Sequence, residues 1–180
     1  MTLNKIVTPA SYPLPLIDDI LSLLDKSKYF KTLDLKSGYW QVQLDEESKE
    51  KTAFACHKGL FQFNRMPFGL SNAPAVFQEL MKIVLQGCEK FATAYPDDVL
   101  IFSKTAIEHQ KHIQGIFRRI REHGLKLKLK KCKFFQQKTE YLGFVISSEG
   151  VKPDQKKVQA IQTPPAPGTV REVRGFLLYV

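Results

Sequence analysis

Three aspartates stand where they could do metal chemistry. Asp97 and Asp98 are adjacent and lie between two short apolar runs, in the segment Ala94-Tyr95-Pro96-Asp97-Asp98-Val99-Leu100-Ile101-Phe102. Asp34 closes another such run, Tyr29-Phe30-Lys31-Thr32-Leu33-Asp34. Apolar stretches of this length flanking a polar turn predict a β-hairpin. Two anions stacked at its tip are electrostatically costly unless a cation sits with them. Oxygen-only ligands suit Mg²⁺ or Mn²⁺. Two such ions about 3.5–4 Å apart can clamp the attacking and leaving oxygens of a phosphoryl transfer. An Asp-Asp pair also fits an ordinary solvated turn, because Asp is a favoured turn former, so the surrounding elements must decide.

Pro13 and Pro15 precede a helical spacing of Leu16, Ile20, Leu23 and Leu24. The run at 29–34 reads as a strand ending near Asp34, and Trp40 to Leu44 alternates like another strand. Residues 51–67 predict a hairpin turning at Lys58-Gly59. A helix is predicted from Asn72, opened by Ala73 and Pro74, with a face of Val76, Leu80, Ile83 and Val84 and a stop at Gly87. After the Asp97–Asp98 hairpin, a second long helix runs from about Ala106 to Glu122. Its face is Ile113, Ile116, Phe117 and Ile120, and His123-Gly124 stops it. The segment from Leu125 alternates leucine and lysine as an amphipathic strand or extended loop. Residues 139–150 form a hairpin-like pair, and 153–161 a short helix. A proline-rich linker and the start of a further helix follow over 163–180. The predicted class is α+β: two long helices packed on one face of a small antiparallel sheet, with the other face or its edge open to a ligand.

With 180 residues, 43% hydrophobic and 25% charged, the chain has the composition of a globular domain and not of a disordered one. Its net charge of +9 suits a polyanionic partner such as nucleic acid. The three cysteines make neither a zinc spacing nor a disulfide framework, which points to a reducing compartment. Cys56 and Cys132, in strand-like contexts, read as core thiols. No membrane-spanning run or secretory leader is visible, so an intracellular location, cytoplasmic or nuclear, is expected. His109 and His112, three apart on a helix with no third ligand, read as surface residues.

Six segments, in order, carry a resemblance: YPLPLIDDILSLL, LDLKSGYWQV, RMPFGLSNAPAVFQELM, AYPDDVLIFS, HGLKLKLKKCKF and YLGFVIS. Together they resemble the reverse transcriptase of gypsy-class long-terminal-repeat retroelements, over nearly the whole chain. The resemblance implies a polymerase right hand, with residues 1–162 as palm and partial fingers and 163–180 as linker and the start of a following domain. It implies RNA-directed DNA polymerase activity within a polyprotein, truncated here at both ends. The partners would be an RNA or DNA template with primer, deoxynucleoside triphosphates, and the fingers, thumb and ribonuclease H portions of the polyprotein, with no membrane.

The same resemblance assigns roles. Asp34, Asp97 and Asp98 would hold two Mg²⁺ (or Mn²⁺), with Asp97–Asp98 ending a Tyr-x-Asp-Asp turn that begins at Tyr95 and Asp97 the more direct ligand of the pair. Leu35, Lys36, Ser37 and Gly38 would offer backbone N–H groups to triphosphate oxygens, or else form an ordinary turn. Tyr39 would be the aromatic gate that clashes with a ribose 2′-hydroxyl, or else a core tyrosine. Phe68 and Gly69 would line the nucleotide pocket, and Asn72 would cap the helix that follows. Gln78 would contact template, or be a solvated helix residue. Lys131 or Lys130 would give a proton to leaving pyrophosphate, or the lysine run would be a solvated strand face. Tyr141-Leu142-Gly143 would grip the primer end.

One departure stands at the turn itself. Pro96 replaces the aliphatic residue or methionine usual in the family, removes an N–H and fixes φ. It motivates an alternative expectation, a catalytically inactive nucleic-acid-binding relic. A viral RNA-dependent RNA polymerase is a further alternative, against which Tyr39 argues.

Overall fold

The computed structural model describes residues 3–10, 17–24, 26–95, 98–155, 158, 159, 169, 170, 173 and 174. Helix α1 (Ile17–Leu23) leads into strand β1 (Tyr29–Asp34), followed by α2 (Glu46–Lys51) and the hairpin β2 (Phe54–Cys56) and β3 (Gly59–Phe61). Then come α3 (Ala73–Leu85), β4 (Ala92–Tyr95), β5 (Asp98–Ser103), α4 (Ala106–Glu122), β6 (Lys133–Gln136), β7 (Lys138–Tyr141), β8 (Phe144–Ser147) and β9 (Gly150–Pro153). Three antiparallel sheets result, with orders β4-β5-β1-β6, β2-β3 and β7-β8-β9.

The four-stranded sheet carries the core. Leu33, Val99, Ile101, Ala92 and Ala94 face α3 and α4, where Phe77, Met81, Ile116 and Ile120 meet them. Thr105 and Glu108 close a capping box at the start of α4, a signal already present in Thr-Ala-Ile-Glu. Arg119 of α4 donates to the carbonyls of Val84 and Ile83, satisfying the last turn of α3.

The opposite sheet face is not open along its length. Phe30, Leu100 and Phe102 are covered by Ile20 and Leu24 and by Tyr141 and Ile146 from the β7–β8 hairpin. A strand sandwiched this way is apolar on both faces, which is why Val99-Leu100-Ile101-Phe102 shows no alternation. The strand ends lie beyond this cover, with Asp34 half-buried and Asp98 exposed.

Several local expectations are corrected. Trp40–Leu44 is not a strand: Ser37 turns the chain at φ 52°, Gly38–Gln41 form a 3-10 turn, and only Gln43 bridges to Arg65. Tertiary hydrogen bonds to Lys126, described below, override the alternation there. The α2 helix is polar all round, so apolar periodicity could not find it, although Asp45 caps it by accepting from Ser48 N at 2.6 Å. The buried stripe of α3 runs through Ala73, Phe77, Met81, Val84 and Leu85, while Val76 and Ile83 are exposed. Both stripes have helical spacing, and the one carrying Phe77 and Met81 removes more apolar area from water. Leu125 and Leu127 dock, but the alternation then breaks, because Leu129 lies in a 3-10 turn and is exposed. Pro153 ends β9, an additional strand, and of the helix expected over 153–161 only parts are described. The expected linker and helix at 163–180 lie outside the described residues apart from 169, 170, 173 and 174.

Cys56 is exposed and Cys132 half-buried; Cys88 is the core thiol. His109 is fully buried and His112 half-buried, so neither is a surface residue. Both Nδ1 atoms meet one hydroxyl, Ser103 Oγ, at 2.9 and 2.8 Å. Lys31 is also fully buried, its Nζ 3.1 Å from the Phe134 ring centroid and 4.1 Å from that of Phe117. Burial lowers the Lys31 pKa to about 8, against an opposing pull from Cys132.

Candidate active site

The antiparallel register sets Asp34, the last residue of β1, directly opposite Asp98, the first of β5. Opposed residues point to the same face, and like charges so placed destabilise a sheet unless a cation intervenes. Lys131 supplies one. Its Nζ lies 3.1 Å from Asp34 Oδ2, across 97 residues of sequence. The backbone reinforces this, as Lys128 N donates to the Asp34 carbonyl at 2.9 Å. Only Pro96 and Asp97 separate β4 from β5; both lie outside the described residues, so Asp98 alone represents the pair here.

Beyond Asp34 the chain stays tied to the lysine segment. Leu35 bridges Leu127, and Lys36 N donates to the Lys126 carbonyl at 2.9 Å. The Gln41 side chain clamps this junction. Its Nε2 donates to the carbonyls of Lys36 and Lys126 at 2.9 and 3.0 Å, and its Oε1 accepts from Lys126 N at 2.6 Å. Arg65 in turn donates to the Gln41 carbonyl. Sequence reasoning missed Gln41, since nothing in Trp-Gln-Val-Gln-Leu marks a residue whose partners lie 85 positions away.

The residues expected around a nucleotide come together. Tyr39 follows the turn at Ser37 and the buried Gly38, and its ring centroid lies 5.3 Å from that of Phe68 and 5.6 Å from that of Phe77. Phe68 is 53% exposed, so this aromatic pair has one face on the core and one on solvent. Gly69 takes φ 91°, where glycine meets no steric penalty. Its carbonyl accepts from Asn4, whose Oδ1 also accepts from Ser71 N. Asn72 occupies the cap position of α3 without capping it; its side chain instead bonds the Thr8 carbonyl and the Ala10 N–H.

On the other side, Tyr95 pairs with Asp98. Gln78 is buried, not solvated, and its amide nitrogen donates to the carbonyl of Ala94 at 3.2 Å, which steadies β4, while its buried Oε1 has no partner among the described residues. The β7–β8 turn reaches the same end of the sheet, with Leu142 and Gly143 both at positive φ, 53° and 82°. Such a pair of conformations suits a two-residue hairpin turn. Tyr141 is buried there, and its hydroxyl has no partner among the described residues. Burial, with the neighbouring Asp98 and Tyr95, pushes its pKa well above the usual phenol value. Of the three residues expected at the primer end, Leu142 and Gly143 form the turn while Tyr141 is buried beneath it.

Among the described residues no group of three His, Cys, Asp or Glu side chains could hold a metal. Two opposed carboxylates are placed, with Asp97 adjacent in sequence, and this all-oxygen donor set fits Mg²⁺ or Mn²⁺.

Comparisons with known proteins agree with this arrangement. The family described as reverse transcriptase (RNA-dependent DNA polymerase) matches residues 1–146. The chain is 43% identical over 176 residues to the retrovirus-related Pol polyprotein from transposon 297 and, equally, to that from transposon gypsy, both of Drosophila melanogaster. Each alignment covers 97% of this chain but 17% of the relative, so the chain spans about a sixth of their length. The Transposon Tf2-3 polyprotein of Schizosaccharomyces pombe is 36% identical, again over 97% of the chain and 13% of the relative. Among solved structures, the foamy viral protease-reverse transcriptase in complex with RNA/DNA hybrid superposes with a TM-score of 0.86 at 28% identity, covering 98% of this chain and 24% of that one. The same type of protein in complex with double-stranded DNA gives 0.88 at 28% identity, covering 98% and 31%.

Proposed function

The chain belongs to the reverse transcriptase (RNA-dependent DNA polymerase) family, and from that membership we propose that it is the palm and partial fingers of a retroelement polymerase, extending a primer 3′ end with deoxynucleotides copied from an RNA or DNA template. The observation that carries this reading is the direct opposition of Asp34 and Asp98 at the ends of their strands.

In this reading Asp34, Asp98 and Asp97 hold two Mg²⁺ (or Mn²⁺). Once bound, those ions supply charge stabilisation to the attacking and leaving oxygens. The turn at Leu35, Ser37 and Gly38 faces the triphosphate with backbone N–H groups. Tyr39 and Phe68 form the pocket wall that excludes a 2′-hydroxyl, and Gly69 lets the loop approach closely. Lys131, already on Asp34, hands a proton to leaving pyrophosphate. Leu142 and Gly143 meet the primer, while Gln78 and Tyr141 act by fixing β4 and the β7–β8 turn against Tyr95 and Asp98. The fingers, thumb and ribonuclease H portions of a polyprotein would complete the grip. Among the described residues no helix is long and apolar enough to cross a membrane, and an intracellular site of action, cytoplasmic or nuclear, is part of the proposal.

The test is extension of a DNA primer on an RNA template with deoxynucleotides and Mg²⁺ or Mn²⁺, by the chain joined to the remaining polymerase portions of a gypsy-class relative. The unaltered chain extends, and Asp34→Asn and Asp98→Asn do not. Undiminished extension by both variants overturns the reading. Pro96 favours one other reading, an inactive nucleic-acid-binding relic; extension by Pro96→Ile but not by the unaltered chain would establish it.

A further inference from the structure

The Asp34–Lys131 pair joins a carboxylate that is mostly covered, 21% exposed, to a lysine that is 60% exposed. Lys131 sits in the short 3-10 turn Leu129–Lys131, and this ion pair is the one polar contact its ammonium makes among the described residues. A long, solvent-facing side chain with one partner can leave it at little cost, because exposed ion pairs are weak. Asp34 cannot move as easily, since its backbone is held by the β5 register and by Lys128 N. The carboxylate is thus a fixed anion facing a second one, Asp98, with a mobile cation in attendance. Lys131 and a divalent ion held by the two carboxylates would therefore compete for the negative charge of Asp34.

We propose that Lys131 is an exchangeable counter-ion for the metal site. It neutralises Asp34 until a divalent ion binds, then gives up the carboxylate and becomes free to turn toward the triphosphate. The proposal rests on the polymerase reading above, in that Asp34 must be a metal ligand. No covalent step is involved; one cation replaces another. The geometry gives Lys131 two successive positions, and it distinguishes Lys131 from Lys130, for which no such pair is formed.

The test uses Mn²⁺ alone, without nucleotide, on the chain as it stands. Binding is followed by the electron paramagnetic resonance of free Mn²⁺, and the acylation rate of individual lysines by mass spectrometry. Lys131→Met should tighten Mn²⁺ by about two- to fivefold, the range expected for removing a weak competing pair, and Lys130→Met by clearly less. Saturating Mn²⁺ should raise the acylation of Lys131 at least about twofold while leaving Lys130 unchanged, and Asp34→Asn should raise it without any metal. Lys131 acylation that ignores Mn²⁺, or a Lys131→Met variant that binds Mn²⁺ no more tightly than Lys130→Met, overturns the exchange. Asp34→Asn binding Mn²⁺ like the unaltered chain would instead remove the metal-ligand reading itself, and the exchange with it.

Discussion

Acid should weaken this fold through one imidazole. His109 on α4 is fully buried between β1, β5 and β6. Burial first, then the charges of His112 and Lys31, lower its pKa from 6.5 to about 4. The groups facing it are Ser103 on β5, Tyr29, Lys31 and the backbone of Phe30 on β1, Phe135 on β6, and His112 on its own helix; of these the Phe30 backbone alone opposes the lowering. None of these is an anion that would welcome a proton. A histidine with a depressed folded pKa binds fewer protons than its unfolded counterpart between pH 4 and 6.5, so stability rises with pH across that window and falls as pH drops through 6.5. At 1.36 kcal/mol per pH unit, His109 withdraws about 2 kcal/mol between pH 8 and pH 5, and about 3 kcal/mol by pH 4. The assay is urea unfolding followed by circular dichroism at pH 8 and pH 5, for the unaltered chain and His109→Leu. The surface carboxylates and other histidines titrate in both proteins and largely cancel. The unaltered chain should lose about 2 kcal/mol more than the variant on acidification. Parallel losses would refute the reasoning, because a buried neutral imidazole among cations cannot be indifferent to pH.

Three further outcomes are expected. Lys31→Met should stabilise the fold by about 1–2 kcal/mol at pH 7, since burying the ammonium costs more than its contacts with Phe117 and Phe134 return; the folded pKa of about 8 means the gain shrinks as pH rises toward 10.5, measured by the same unfolding series. Gln41→Leu should cost about 1–3 kcal/mol, because it strips partners from the backbone of Lys36 and Lys126, and amide hydrogen exchange at Lys36 and Lys128 should accelerate. Asp98→Asn should leave the fold intact or slightly more stable by thermal unfolding, as it removes one of two opposed like charges, while abolishing primer extension.

Much of the site was legible because its signals are local. Tyr-x-Asp-Asp between two apolar runs announces a tight hairpin, and the β4–β5 pairing from Tyr95–Asp98 outward has that form. Gly124 at φ 66° ends α4 as expected, and the Thr105–Glu108 box, present in the sequence but unread, opens it. The order of six segments was enough for the family. What went unread depends on partners far along the chain. His109 and His112 looked like surface residues because helical periodicity cannot say that Ser103 waits beneath them. Gln78 was read as a template contact or a solvated residue, and its burial against the Ala94 carbonyl could not be foreseen because that carbonyl is not a sequence neighbour. Residues 40–44 looked like a strand because two-residue alternation is also what a 3-10 turn leading into a single bridge produces.

By itself, the sequence determined the two long helices, the central strands and the identity of the groups that could do chemistry, since propensity, capping and periodicity act within a few residues. The tertiary structure decided which of those groups meet. Asp34 and Asp98 share the face opposite the helices because Leu33 and Val99 are committed to the helix side, and a one-residue slip would reverse both faces. Lys131 finds Asp34 because Gln41 ties the turn after β1 to the segment before β6. The second face of the sheet closes because Phe30, Leu100 and Phe102 still needed cover after α3 and α4 had taken the first, and α1 with the β7–β8 hairpin supplied it. Apolar area has no memory of sequence distance, so the packing that covers both faces of β1 and β5 could be known only once the chain had folded.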